Sequence, residues 1–228
     1  MPLQPDISQI ASLIGDNARA RMLTALMGGK ALTATELALE ANITPPTASS
    51  HLHKLVEGQL LIVRKQGRHK YFQLQGHDVA ELLESLLSIS ARLQNPGRKT
   101  GPSNPRLRQA RVCYNHLAGE LGVALFDSLS AQQLITPSPD NTQLTTAGHE
   151  FFQQQGVDFD QLKPGRRPLC KACLDWSERR SHLAGVLGQW ILDDLFASGW
   201  AERELDSRAV RFSERGLRLF LMRYGIVG

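Results

Sequence analysis

Between Thr44 and Gly58 the apolar residues Ala48, Leu52, Leu55 and Val56 fall on one helical face. Thr47, Ser49, Ser50, His51, His53 and Lys54 are left on the other faces. The boundaries are marked by chemistry: Thr44 suits the cap, Pro45 suits the first turn, where a missing N–H costs nothing, and Gly58 suits a left-handed stop. Upstream, Thr33-Ala34-Thr35-Glu36 has the spacing of a capping box. It opens a second short helix with Leu37, Ala38 and Ala41 inward, closed by an Asn42-Ile43 turn. Downstream, residues 59–74 read as a β-hairpin around a Gln66-Gly67 turn. A further helix follows, capped by Asp78 and backed by Glu81. Its Leu82, Leu83, Leu86, Leu87 and Ile89 exceed what one amphipathic face requires, which predicts a dimer interface formed with the N-terminal helix.

The pattern breaks at residues 93–105, a proline- and glycine-rich stretch without apolar residues after Leu93, read as a linker between a domain at 1–92 and another at 106–228. The second domain repeats itself over 106–155 and 170–224. His116-Leu-Ala-Gly-Glu-Leu-Gly122 returns as His182-Leu-Ala-Gly-Val-Leu-Gly188, and Leu144 to Phe152 answers Phe212 to Phe220. Each copy is expected to run helix, helix, strand pair, helix, the strand pair being clearest around Asp206-Ser207. The fold class is therefore mainly α with small β wings, an α+β chain. The seam between the copies is a natural place for a small ligand. Because His116 and His182 hold equivalent positions, the simplest reading of both is structural, with the glycines allowing close helix approach.

The hairpin concentrates Arg64, Lys65, Arg68, His69 and Lys70, donors suited to phosphates or a minor groove. A major groove about 12 Å wide admits a helix, so Thr47, Ser49, Ser50, His51 and Lys54 are candidate contacts with double-stranded DNA. A helix-turn-helix followed by a basic wing accounts for capping, spacing and charge together. Residues 47–55 and 64–74 resemble the ArsR/SmtB family of bacterial transcriptional repressors, a likeness that covers roughly residues 5 to 95. The resemblance implies a homodimer on a two-fold related operator, released when an inducer binds. It also implies metal positions that this chain does not fill: Thr33 and Thr35 stand where metal-sensing members place cysteines, and Gly76, Asp78, Ile89 and Arg92 stand at a second family site. His77 is then a surface residue. Some long ArsR-like regulators carry a similar Cys-Leu-Asp-Trp-Ser-Glu-Arg-Arg and His-Leu-Ala-Gly pattern, here Cys173–Arg180 and His182–Gly185.

A length of 228 residues exceeds one winged helix by more than a hundred, and a net charge of +4 is compatible with a polyanionic partner. There is no apolar run long enough for a membrane span and no basic-then-apolar N-terminus, so a soluble, cytoplasmic protein is expected. The three cysteines, Cys113, Cys170 and Cys173, all follow the linker. Cys170 and Cys173 form a Cys-x-x-Cys pair, and Cys113 and His116 have the i, i+3 spacing of one helical face. If the repeat joins these pairs, a Cys3His site for zinc or another thiophilic ion results. Alternatively Arg166, Arg167, Lys171, Arg179 and Arg180 lower a thiol pKa and make a redox or electrophile sensor. Inert cysteines remain the third reading, with Asp175 and Glu178 as an ordinary capping box. No phosphate loop, nucleophile elbow or His-Glu-x-x-His argues for an enzyme. The function expected is a DNA-binding repressor with a C-terminal effector domain sensing a metal or thiol-reactive signal. The alternatives are an organic inducer in the seam, or an architectural DNA binder that ignores effectors.

Overall fold

A computed structural model describes residues 6–93, 102, 104–138, 141–162, 167–204 and 207–227. Most of the expected linker (94–101 and 103), together with Arg166 and Asp206, lies outside these residues. The chain divides into two compact units, Met1–Leu83 and Glu84–Gly228.

The first unit contains α1 (Ile7–Ile14), α2 (Asn17–Leu26), β1 (Leu32–Thr33), α3 (Ala34–Ala41), α4 (Pro45–Glu57), β2 (Leu61–Gln66) and β3 (His69–Leu74). The three strands form one antiparallel sheet in the order β1-β3-β2. Thr33 closes the capping box: its backbone N donates to Glu36 Oε2 at 2.6 Å while its hydroxyl accepts from the Glu36 backbone N. Asn42 ends α3 in the left-handed region at φ 54°. Met22, Leu23, Leu26, Leu37, Ala38, Leu52, Leu55 and Leu61 form the buried core.

Three expectations shift here. Gly58 has φ −75°, and the left-handed residue is Gln59 at φ 57°. A Cβ at 58 would lie 2.1 Å from Leu13 Cδ1, so a larger residue would require that side chain to turn away. Gln66 pairs with His69, so the two-residue turn is Gly67-Arg68, with Gly67 at φ 59° as a glycine in the first central position requires. The next helix, α5 (His77–Leu93), begins one residue before Asp78, so Asp78 lies in its first turn, and Glu81 pairs with His77 at 2.9 Å. The boundary between the units falls inside α5.

Beyond α6 (Pro105–Gln109), the second unit consists of β4 (Arg111–Cys113), β5 (His116–Ala118), α7 (Glu120–Ala131), β6 (Ile135–Thr136), β7 (Gln143–Leu144) and α8 (Thr146–Gln154). The same series returns as β8 (Lys171–Leu174), β9 (Ser181–Ala184), α9 (Gly185–Ala197), β10 (Ala201–Arg203), β11 (Val210–Phe212) and α10 (Glu214–Arg223). Each copy is therefore hairpin, helix, hairpin, helix, and the expected opening helix is a hairpin instead. The copies are interlocked: α7 packs on β9 of the other copy, α9 packs on β5, and β5 lies against β9. One apolar core serves both, with Phe126, Leu129 and Phe152 from the first and Leu187, Ile191, Leu195 and Phe220 from the second.

Candidate functional site

Two groups of residues carry chemistry, one in each unit. In the first, Thr44 Oγ1 lies 2.8 Å from Thr47 Oγ1 at the start of α4, and Ser49 Oγ donates to Pro45 O at 3.0 Å. Thr47, Ser49, Ser50 and Lys54 are exposed, as are Arg64, Lys65, Arg68 and Lys70 along the β2–β3 ribbon. An exposed polar helix face and an exposed basic ribbon present donors for base edges and phosphates.

His51 differs from the other expected contacts. Its ring is largely buried, with Nδ1 3.2 Å from Arg19 NH1. Arginine can only donate, so Nδ1 accepts and the imidazole is fixed against α2 rather than presented outward. Arg19 also donates to Ser12 O at 2.7 Å and Leu13 O at 2.6 Å, holding the last carbonyls of α1. Of the two arginines in α2, Arg19 and Arg21, nothing in the sequence marked Arg19 for this positioning role.

In the second unit, Cys113, His116, Cys173 and His182 place their donor atoms within 4.8 Å of one another. The elements that do this are the two repeated hairpins: Cys113 faces His116 across β4–β5, and Cys173 faces His182 across β8–β9. Cys113 and His116 therefore share a hairpin register and not the helical face their spacing suggested. Tyr114, at φ 58°, makes the tight turn between them. His116 and His182 meet Nε2 to Nε2 at 3.0 Å. Cys113 and both imidazoles are buried, and Cys173 is half-buried.

Cys170 does not join them. It lies in the apolar core, and burial pushes its thiol up to about 12. Cys170 lies in the bend before β8 and joins the apolar core, whereas Cys173 lies within β8 opposite His182. His182 fills the place expected for Cys170. Cys113 and Cys173 are also repeat equivalents, a relation hidden because the second hairpin carries the longer connection Asp175–Arg180.

That connection forms a buried support and not a helix start. Asp175 Oδ1 accepts from Arg111 NH2 at 2.6 Å, from Ser177 Oγ at 2.7 Å and from the backbone N of Ser177 and Glu178, and Oδ2 accepts from the Gly119 N at 2.8 Å. His182 Nδ1 lies 3.3 Å from Asp175 Oδ2, close enough for an ion pair though not aligned as a hydrogen bond. Burial opposes the Asp175 charge, but His182, Arg111 and the Gly119 amide outweigh it and hold the carboxyl well below the usual range. Burial likewise opposes the His182 charge, and the Cys173 and Asp175 anions override it, holding the imidazole up to about 10. The Cys113 thiol is pushed up as hydrogen-bond donor to Cys173, whose thiolate is favoured by that bond and by His182. The expected crowd of cations contributes little: Arg167 is held by Gln189 and Gly185 O, and Arg180 by Asp127.

Comparison with known proteins places these features. A helix-turn-helix domain family model matches residues 14–64. The uncharacterized HTH-type transcriptional regulator YdfF of Bacillus subtilis (strain 168) is 39% identical over 214 residues, 94% of this chain and 95% of that protein. The arsenical resistance operon repressor of Staphylococcus aureus is 28% identical over 85 residues, covering 37% of this chain and 81% of the repressor. Among solved structures, the homodimeric winged helix-turn-helix DNA-binding domain of Mb0332 from Mycobacterium bovis, a possible ArsR-family transcriptional regulator, covers 43% of this chain and 98% of its own at 21% identity and a TM-score of 0.37. The transcriptional repressor BigR from Xylella fastidiosa covers 36% and 84% at 22% identity and a TM-score of 0.34. With a relative matched along almost its whole length, and with the helix-turn-helix and its wing in place, the chain belongs to the HTH-type transcriptional regulators.

Proposed function

We propose that this regulator is a cytoplasmic homodimeric repressor that binds a two-fold related operator. On this reading Thr47, Ser49, Ser50 and Lys54 of α4 enter the major groove, and Arg64, Lys65, Arg68 and Lys70 grip the flanking backbone. The observation that carries this is the exposed basic ribbon beside an exposed polar helix face. His51 is reassigned from contact to support because Arg19 holds it. Residues 1–92 serve as the DNA-binding and dimerisation part, and 106–228 as the effector part, which senses a metal ion or thiol-reactive compound. Effector binding changes the separation of the two recognition helices, whose half-sites lie about 34 to 36 Å apart or a multiple of it. An effector-independent architectural binder would leave a supported Cys/His cluster without a use.

The test is a salt titration of DNA affinity by fluorescence anisotropy. Arg68→Ala should lower the slope of log affinity against log salt by about one. A slope equal to that of the parent protein would remove the wing from the phosphate contacts.

A further inference from the structure

We infer that Cys113, His116, Cys173 and His182 form a tetrahedral Cys2His2 centre for a divalent, zinc-class ion, one Cys-His pair coming from each copy of the repeat. This deepens the reading of the C-terminal unit as an effector part and rests on that reading for its regulatory meaning alone.

The donor set is two thiols and two imidazoles, the combination that selects a borderline-soft ion of tetrahedral preference. With sulfur near 2.3 Å and nitrogen near 2.0 to 2.1 Å from such an ion, the edges of the tetrahedron run roughly 3.3 to 3.8 Å. The donors already lie within 4.8 Å of one another, with the two Nε2 atoms at 3.0 Å, so small side-chain shifts suffice. Both imidazoles present Nε2 inward and are held from behind. Asp175 stands behind His182 Nδ1 and is itself fixed by Arg111, Ser177 and Gly119, and the Asn115 side-chain amide lies 3.1 Å from His116 Nδ1. A carboxylate behind a ligating histidine fixes ring orientation and raises basicity.

Each histidine also packs against the other copy's helix: a Cβ on Gly122 would lie 3.5 Å from His182 Cβ, and one on Gly188 would lie 3.4 Å from His116 Cβ, both ordinary contact distances. Binding releases two protons to solvent, one from the Cys113 thiol and one from the His182 imidazolium, and leaves two thiolates and two neutral imidazoles around the ion, with no net charge on the buried centre.

The experiment titrates cobalt(II) into the reduced, metal-free full-length protein and follows visible and near-ultraviolet absorption. The expected result is one cobalt per protomer, with the intense visible bands of four-coordinate cobalt and thiolate charge transfer. Zinc should displace it. Cys173→Ser and His182→Ala should lose the signal, whereas Cys170→Ser should keep it. His116→Cys should bind with stronger charge transfer and displaced visible bands, a gain that misfolding cannot produce. No stoichiometric cobalt, a Cys113–Cys173 disulfide formed in preference to binding, or loss of the signal in Cys170→Ser with retention in His182→Ala would each overturn the assignment. DNA affinity is read on the same samples. Cobalt binding by a protein whose metal-free and cobalt-loaded forms both fail to bind DNA supports the centre and overturns the regulator proposal, and DNA binding by a protein that takes up no cobalt does the reverse.

Discussion

At the scale of single residues, the first unit depends on caps whose charge is titratable. Glu36 accepts from the Thr33 backbone N and hydroxyl, which hold its carboxyl below the usual value of 4.5. A depressed folded pKa means that the carboxylate contributes stability above about pH 4.5 and that this is lost as pH falls through the folded value. Glu36→Gln should therefore melt lower than the parent near pH 6, by the equivalent of about 0.3 to 1 kcal/mol, and the difference should shrink as pH falls below the free carboxylate range. A constant difference would mean that the charge is not what matters. The capping box was legible from four consecutive residues because it is local. The role of Arg19 was not, since its partners Ser12, Leu13 and His51 come from two other helices.

At the scale of elements, the helices of the first unit follow their apolar spacing, whereas the second unit shows where spacing misleads. Three positions separate Cys113 from His116, a spacing that suits a helix turn and equally a hairpin with two residues at its tip. Only pairing decides between them: Val112 N donates to Arg208 O at 2.8 Å and Val210 N to Ala110 O at 2.9 Å, so β4 is held by the second copy. The repeated glycines answer to packing inside each copy, where the helix runs close over the hairpin that precedes it. A Cβ on Gly188 would meet Leu183 O at 2.4 Å, which is backbone and cannot swing away. Gly188→Ala should destabilise the second unit by about 1–3 kcal/mol, read by chemical denaturation of the full-length protein, despite alanine's better helix propensity. A neutral or stabilising result would refute the close packing of α9 on β9.

At the scale of the whole molecule, α5 leaves Leu82, Leu86, Ile89 and Leu93 between 38% and 80% exposed, at the i, i+4, i+7, i+11 spacing of one helical stripe. Such a stripe is what a two-fold contact between copies would cover. Leu86→Glu should convert the dimer to a folded monomer in light scattering and weaken operator binding. A parent protein that is already monomeric at the concentrations used would remove the dimer from the proposal. None of the helices described is long and apolar enough to cross a membrane.

The sequence by itself determined the helix-turn-helix, its caps, the basic wing, the existence of a repeat and the kinds of residue available for chemistry. These are set by short-range periodicity, by turn and cap residues and by composition, all readable along a line. Only the tertiary structure decided which cysteines meet, that His182 joins them while Cys170 belongs to the core, and that Asp175 supports an imidazole instead of starting a helix. The physical reason is register. Strand pairing brings Cys173 beside His182 across a connection of several residues, and two interlocked copies bring that pair to Cys113 and His116, some sixty residues away.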